Sequence, residues 1–201
     1  TFMDQVHNFL RGTHPFEQIH HPMPHQAIMQ EMLSVKHLAI DSHDTRARGK
    51  NKSTVYAPAK GWSKMCLHGH GLHEVRSYLD YEWPMVGYDR RYRWIDEIRD
   101  KIPNTMAFFE TFKPFDHLRR IRLQWVEPGG YIEPHRDIEH GTDRKVFVNI
   151  AVNNPKGCEL RFGDEVVPFE AGSIFMIDNT QKHSVYNASD EARAHLIVDG
   201  K

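Results

Sequence analysis

The sequence predicts a mainly β fold, a jelly roll of two facing sheets buttressed on one outer side by N-terminal helices. Three observations predict it. From residue 118 to residue 198 the chain is a succession of short segments rich in Val, Ile, Phe and Leu. The Gly, Pro, Asn and Asp turns between them are too short to hold crossover helices, which favours antiparallel pairing over a parallel sheet. Before residue 80 the texture differs: His, Met and Lys are frequent and strand-like runs are few.

Residues 25–38 follow Pro22 and Pro24 and carry an amphipathic pattern, so a helix is expected there. Lys60-Gly61-Trp62-Ser63-Lys64 and His68-Gly69-His70-Gly71 read as loops, and loops beside a barrel mouth often select substrate. A second helix is expected over 92–101, ended by Pro103, and a third over 105–111 before Pro114. Strands are expected over 118–126 and 131–137, split by a turn at Glu127-Pro128-Gly129-Gly130. Six more are expected over 145–152, 158–162, 165–169, 173–177, 183–187 and 193–198, a total that suits a jelly roll. No repeat or low-complexity linker interrupts the chain. Residues 1–201 are therefore expected as a single domain, with 1–117 as helical and loop support and 118–199 as the β core.

The chemistry concentrates at one strand end. Alternate residues of an extended segment share a side, so His135 and Asp137 can reach one metal while Arg136 faces away. His183 lies on a strand remote in sequence. Two imidazoles and one carboxylate can hold one face of a ferrous ion and leave the other open to substrates. Gln124 and Trp125 straddle the two faces of the preceding strand, so one of them looks into the pocket, and Gln124 is a candidate cosubstrate residue. His195 shares a face with Arg193 and reads as a hydrogen-bonded interior histidine.

Four ordered motifs extend this pattern. They are Pro128-Gly129-Gly130-Tyr131-Ile132-Glu133-Pro134-His135-Arg136-Asp137, Gly172-Ser173-Ile174-Phe175-Met176-Ile177-Asp178-Asn179, His183-Ser184-Val185-Tyr186-Asn187 and Arg193-Ala194-His195-Leu196-Ile197-Val198-Asp199. Together they resemble the aspartyl/asparaginyl β-hydroxylase family of Fe(II)- and 2-oxoglutarate-dependent oxygenases, across roughly residues 118–199. The resemblance implies a double-stranded β-helix, cupin-like in form. It implies His135, Asp137 and His183 as iron ligands and Arg193 as the partner of the distal carboxylate of 2-oxoglutarate. A guanidinium offers a carboxylate a planar fork. Arg144 resembles a second family arginine, near the cosubstrate or the substrate. Animal members that modify epidermal-growth-factor-like domains lack the aspartate ligand, so Asp137 places the chain closer to bacterial members, free-proline cis-hydroxylases among them. Asp137 also opposes halogenation, because related halogenases carry a small residue there. The implied reaction uses Fe(II), 2-oxoglutarate and O2, releases succinate and CO2, and hydroxylates an unactivated carbon. Its expected substrate is an amino acid, an amino-acid derivative or a peptidyl Asp, Asn or Pro side chain.

Composition bounds the remaining possibilities. At 201 residues the chain is long enough for one sizeable core, and with 39% hydrophobic residues and no apolar run of membrane-spanning length it is expected to be soluble. Cys66 and Cys158 stand far apart without metal-type spacing, so a reducing cytoplasm is the expected setting. Residues 1–10 lack a basic start and an apolar block, so no signal peptide is read there. His14, His20, His21 and His25, and His68, His70 and His73, have no carboxylate or thiolate at a metal-site spacing and read as solvated or hydrogen-bonded imidazoles. Two rival functions compete with the hydroxylase. Arg90-Arg91-Tyr92-Arg93-Trp94 and Arg119-Arg120-Ile121-Arg122 suggest a nucleic-acid-directed oxygenase, which a net charge of −1 and a pI near 6.9 oppose. A cupin-like binding module without chemistry is opposed by the full set of His135, Asp137, His183 and Arg193.

Overall fold

The computed structural model describes residues 1–41, 59–73, 91–137 and 144–201. In chain order it contains α1 (Phe2–Arg11), β1 (Phe16–Ile19), α2 (His25–Val35), β2 (Ile40–Asp41), β3 (Ala59–Gly69), β4 (Arg93–Trp94) and α3 (Pro103–Thr111). There follow β5 (Leu118–His135), β6 (Phe147–Ala151), β7 (Cys158–Phe162), β8 (Glu165–Val166), β9 (Ile174–Ile177), β10 (His183–Asn187) and β11 (Arg193–Gly200). Short 3-10 turns occupy Lys36–Leu38 and Arg99–Lys101.

Among the described residues, the strands form one curled antiparallel sheet in the order β1-β9-β6-β11-β5-β10-β7-β8, with β3 also on β5 and β2 and β4 on β3. This is the expected jelly roll. Strand β5 belongs to both of its halves: residues 118–126 pair with β11, and residues 131–135 pair with β10. The turn expected at residues 127–130 is instead a bend within this one strand. Lys60 pairs with Tyr131 and Trp62 with Val126, so two steps along β3 match five along β5. Glycine makes the bend possible. Gly129 has φ +74, and a Cβ on Gly130 would lie 2.7 Å from the Glu127 carbonyl oxygen and 2.9 Å from that of Lys60.

Alternation along the strands separates two cores. Ile121, Leu123 and Trp125 of β5, with Leu196 and Val198 of β11, join Ile28, Met32, Val35, Phe108, Phe109 and Phe112 in a helix-covered cluster. Val126, Ile132, Leu160, Phe162, Phe175 and Val185 form the second cluster, inside the curl. Each fully buried side chain of this size contributes ~1.5–3 kcal/mol, so the helix-covered layer anchors the sheet.

The helix expected over 25–38 is present as α2 and the 3-10 turn after it, with Ile28, Met32 and Val35 on its buried stripe. The third helix starts slightly earlier than expected, with Pro103 in its first turn. Its N-cap, Ile102, has no capping side chain. Glu31 of α2 supplies one: its carboxylate accepts from the backbone N–H groups of Asn104 and Thr105, both at 2.7 Å. Helix α1 goes beyond the sequence expectation, although Thr1 and Asp4 form a complete capping box.

Four expectations are corrected. Residues 60–64 are strand, not loop, and so are His68 and Gly69, because β3 pairs along β5. The helix expected over 92–101 is replaced by β4, a turn and a 3-10 segment. Ile95, Ile98 and Ile102 have helix-like spacing and are all buried, but Arg93 and Trp94 are held on β3 and the chain closes into tight turns instead. The strand over 165–169 stops at Val166, though Val167 still donates to the Leu160 carbonyl at 2.9 Å. Finally, the N-terminal part contributes strands β1 to β4 to the sheet as well as helices.

Candidate metal centre and cosubstrate pocket

Register brings the two histidines together. His183, first residue of β10, pairs directly with His135, last residue of β5, so both side chains leave the same face of the sheet. Their ring centroids lie 4.4 Å apart. Each ring is oriented by a carbonyl two residues upstream: His135 Nδ1 donates to Glu133 O at 2.7 Å, and His183 Nδ1 to Gln181 O at 2.8 Å. Those bonds fix the tautomer and leave both Nε2 lone pairs free for a metal. The Nε2 atoms face the Asp137 carboxylate, 3.4 Å and 3.7 Å away.

Asp137 lies just past the strand end and is held by its backbone, which donates to Asn179 O at 2.9 Å. The Asp178–Gln181 turn thus serves two ligands at once, since Gln181 also orients His183. Buried Asp178 shapes this turn by accepting from the Thr180 N–H and the Gln181 side chain. One donor atom from each of His135, Asp137 and His183 lies within 4.8 Å of the others, and two imidazoles with one carboxylate are a donor set that suits ferrous iron.

The charges of the site reinforce one another. Burial lowers the His135 pKa, but the Asp137 hydrogen bond and the Glu133 carbonyl outweigh it and the net shift is upward. His183 is pushed down, by burial above all. Burial raises Asp137, yet the two imidazoles and Lys64 hold it below the usual carboxylate range.

Residues 24–201 match the family model described as Aspartyl/Asparaginyl beta-hydroxylase. The chain belongs to this family. Curated aspartyl/asparaginyl β-hydroxylases of Mus musculus and Homo sapiens are 27% and 26% identical over 100 residues, which is 48% of this chain and 13% of each relative. The chain thus matches only a small part of their length. A prolyl hydroxylase of Trichoplax adhaerens, solved with a peptide fragment of the hypoxia inducible factor oxygen degradation domain, shares the fold at a TM-score of 0.52 and 12% identity. That likeness covers 98% of this chain and 87% of that one.

Arg193 lies deep in the interior. Arg193 pairs with Val126 on β5 and is 1% exposed; among the described residues no carboxylate is paired with it, and its Nε and Nη1 atoms have no hydrogen-bond partner. Burial pushes its pKa down to about 10, so it stays protonated at neutral pH. A buried unpaired cation is costly.

Gln124 projects to the interior face with its rung partners Lys64 and His195, whereas Trp125 packs in the helix-covered core. Arg144 has other contacts. Its guanidinium donates to His14 O at 2.6 Å, lies 3.6 Å from Asp178 and stands over the Phe9 ring at 4.4 Å.

Sequence reasoning misses Lys64, because its segment reads as a loop. Its ammonium sits 3.8 Å from the Trp62 ring centroid, and burial, with Arg122 adding, pushes its pKa down to about 7. The alternation of Trp62 and Lys64 before the apolar run Met65-Cys66-Leu67 is the signal that could have found it.

The histidine clusters remain unassembled. Among the described residues, His135, Asp137 and His183 form the one metal-type group. His14 instead contacts Glu165, and His68 contacts the Arg119 carbonyl. Arg90 of the basic stretch lies outside the described residues. No helix among them is long and apolar enough to cross a membrane.

Proposed function

We propose that this chain is an Fe(II)- and 2-oxoglutarate-dependent hydroxylase acting on an amino acid, an amino-acid derivative or a peptidyl Asp, Asn or Pro side chain. The observation that carries this reading is the pairing of a His-Asp-His centre with a buried guanidinium that, among the described residues, no carboxylate pairs. His135, Asp137 and His183 would hold iron; Arg193 would take the distal carboxylate of 2-oxoglutarate, with Gln124 as a polar neighbour. When bound, iron with 2-oxoglutarate supplies the oxidising power to insert one oxygen atom of O2 into a C–H bond, with release of succinate and CO2.

The chain's own residues have three tasks. Glu133 O and Gln181 O keep the imidazole Nε2 atoms unprotonated toward the metal. Arg193 fixes the far end of the cosubstrate, which sets its keto-acid end toward the triad. The apolar lining from Val126, Ile132, Phe162 and Val185 excludes water from the space between them. Arg144 is proposed to brace the Asp178–Gln181 turn, and Lys64 to border the substrate side. Both free cysteines are buried, in keeping with a reducing, cytoplasmic setting.

A screen for succinate formation tests the reading, with Fe(II) and 2-oxoglutarate supplied and amino acids, N-acyl amino acids, short peptides and oligonucleotides offered. Turnover is expected with the amino-acid class and only modest salt dependence. Turnover confined to oligonucleotides, with a steep salt slope, would overturn it.

A further inference from the structure

Two residues after Arg193 on the same face of β11 stands His195, a wholly buried imidazole with a polar partner at each ring nitrogen. Nδ1 lies 3.0 Å from Arg193 Nη2 and 2.8 Å from Asn149 Oδ1, and Nε2 lies 3.1 Å from Asn154 Oδ1. The edge of Phe169 covers the ring at a centroid distance of 4.7 Å.

The proton can be placed from both ends. Asn154 directs its NH2 at the carbonyls of Cys158 and Phe169, 3.4 Å and 3.3 Å away, so its oxygen must face His195. An amide oxygen only accepts, hence Nε2 carries the hydrogen. A guanidinium only donates, hence Nδ1 carries the lone pair. Asn154 and Arg193 demand the same neutral tautomer. Asn149 Oδ1, 2.8 Å from Nδ1, is the exception; the two ends of an amide are alike in shape, and the amide turned over would offer its NH2 to that lone pair. A second proton would have to sit on Nδ1, against the guanidinium; burial first, then the Arg193 charge, holds the ring's pKa well below its ordinary value.

We propose that His195 is a positioning residue for the cosubstrate: its Nδ1 lone pair pins one Nη2 hydrogen of Arg193, so that the remaining donors are aimed at the distal carboxylate before it arrives. The proposal rests on the reading of Arg193 as the carboxylate anchor. Physically, an arginine side chain rotates about several bonds, and a guanidinium already held in one orientation loses less freedom when the ligand binds. The donors left without a partner, Nε and Nη1, lie on either side of the pinned nitrogen. A neutral acceptor can do this without neutralising the arginine. A carboxylate in place of His195 would pair with the cation and compete with the ligand for it.

The test is calorimetric binding of two probes to the Mn(II)-loaded protein. 2-Oxoglutarate has a distal carboxylate; oxalate chelates the metal but has none. His195→Leu is expected to weaken 2-oxoglutarate by at least about tenfold and to leave oxalate within about twofold. His195→Asn places an oxygen near the Nδ1 position and is expected to retain 2-oxoglutarate affinity within about threefold. His195→Gln reaches the Nε2 position instead and should bind as weakly as His195→Leu. Should His195→Leu fail to fold, the contrast of Asn with Gln carries the test alone, with 15N resonances of the wild-type imidazole reporting whether Nδ1 or Nε2 is protonated. Equal affinities of the Asn and Gln variants, an equal loss for oxalate, or a proton on Nδ1 would overturn the proposal. Arg193→Ala separates the two ideas. If it binds 2-oxoglutarate like wild type, the anchor reading itself falls; if it loses affinity while His195→Leu does not, only the positioning role falls.

Discussion

The two faces of the same strands obey different rules. On the helix-covered face of β5 and β11 stand Ile121, Leu123, Trp125, Ala194, Leu196 and Val198, all apolar and all buried. On the interior face the same strands carry Gln124, Arg193 and His195, joined by Asn149 of β6 and Lys64 of β3. One face holds the sheet together. The other places polar groups in the interior, among them the Arg193 guanidinium with two unpartnered nitrogens, where they cost stability. Strength and function are thus divided by the two-residue period of a strand, not by domain or by loop.

The sharpest way to break this division is to remove a ligand from the interior corner. His183→Ala is expected to lose stoichiometric Fe(II) binding and all measurable turnover, with an unchanged far-ultraviolet circular dichroism spectrum. Retained iron at wild-type stoichiometry would remove His183 from the centre. Next in size is the opposite experiment. Leu196→Ala on the helix-covered face is expected to cost about 3 kcal/mol in denaturant unfolding, with kcat per folded molecule little changed.

Arg193 sharpens the contrast further. Arg193→Lys retains the charge and loses the fork, so 2-oxoglutarate affinity is expected to fall by at least ~1.4 kcal/mol, a tenfold change. Arg193→Met should bind the cosubstrate more weakly still, yet the ligand-free protein should melt no lower than wild type, because a buried unpaired cation is gone. A marked drop in its Tm would show that the guanidinium contributes to the fold.

Smaller effects follow from protons. Metal binding needs neutral imidazoles, and the pKa of His135 is raised above that of a free imidazole, so Fe(II) affinity is expected to decline earlier on acidification than an ordinary histidine would make it. A pH-independent affinity from pH 8 to pH 6 would contradict this. For Lys64 the sign is opposite. Its folded pKa of about 7 lies below 10.5, so the unfolded chain binds more protons in that window and the metal-free protein gains stability as pH rises through it. Urea unfolding of Lys64→Met should show a flatter pH profile over the same range.

Much of the β core and of the site is legible in the amino-acid sequence. The strands, the triad and Arg193 rest on alternation and on ordered motifs, signals that depend on nearby residues. The parts that escape depend on partners remote in sequence. Residues 60–64 look like a loop because of Gly61, and only pairing with β5 makes them strand. Ile95, Ile98 and Ile102 carry helical spacing, but β4 holds the chain to β3 before a helix can form. Helix α3 has an apolar N-cap, and its cap is supplied by Glu31, more than seventy residues upstream. Arg144 is expected near the cosubstrate or the substrate, and its contacts tie the N-terminal segment to the Asp178–Gln181 turn. Alternation alone does not say which of Gln124 and Trp125 faces inward; Lys36, lying 4.8 Å from the Trp125 ring, marks the outward side.

The bend of β5 at Gly129 and Gly130 has a mechanical meaning. Val126, the rung opposite Arg193, and His135, a corner of the metal centre, stand nine residues apart on one unbroken strand. On the reading of Arg193 as the carboxylate anchor, the span that a dicarboxylate would bridge is set along one strand, by peptide geometry and the bend at its two glycines.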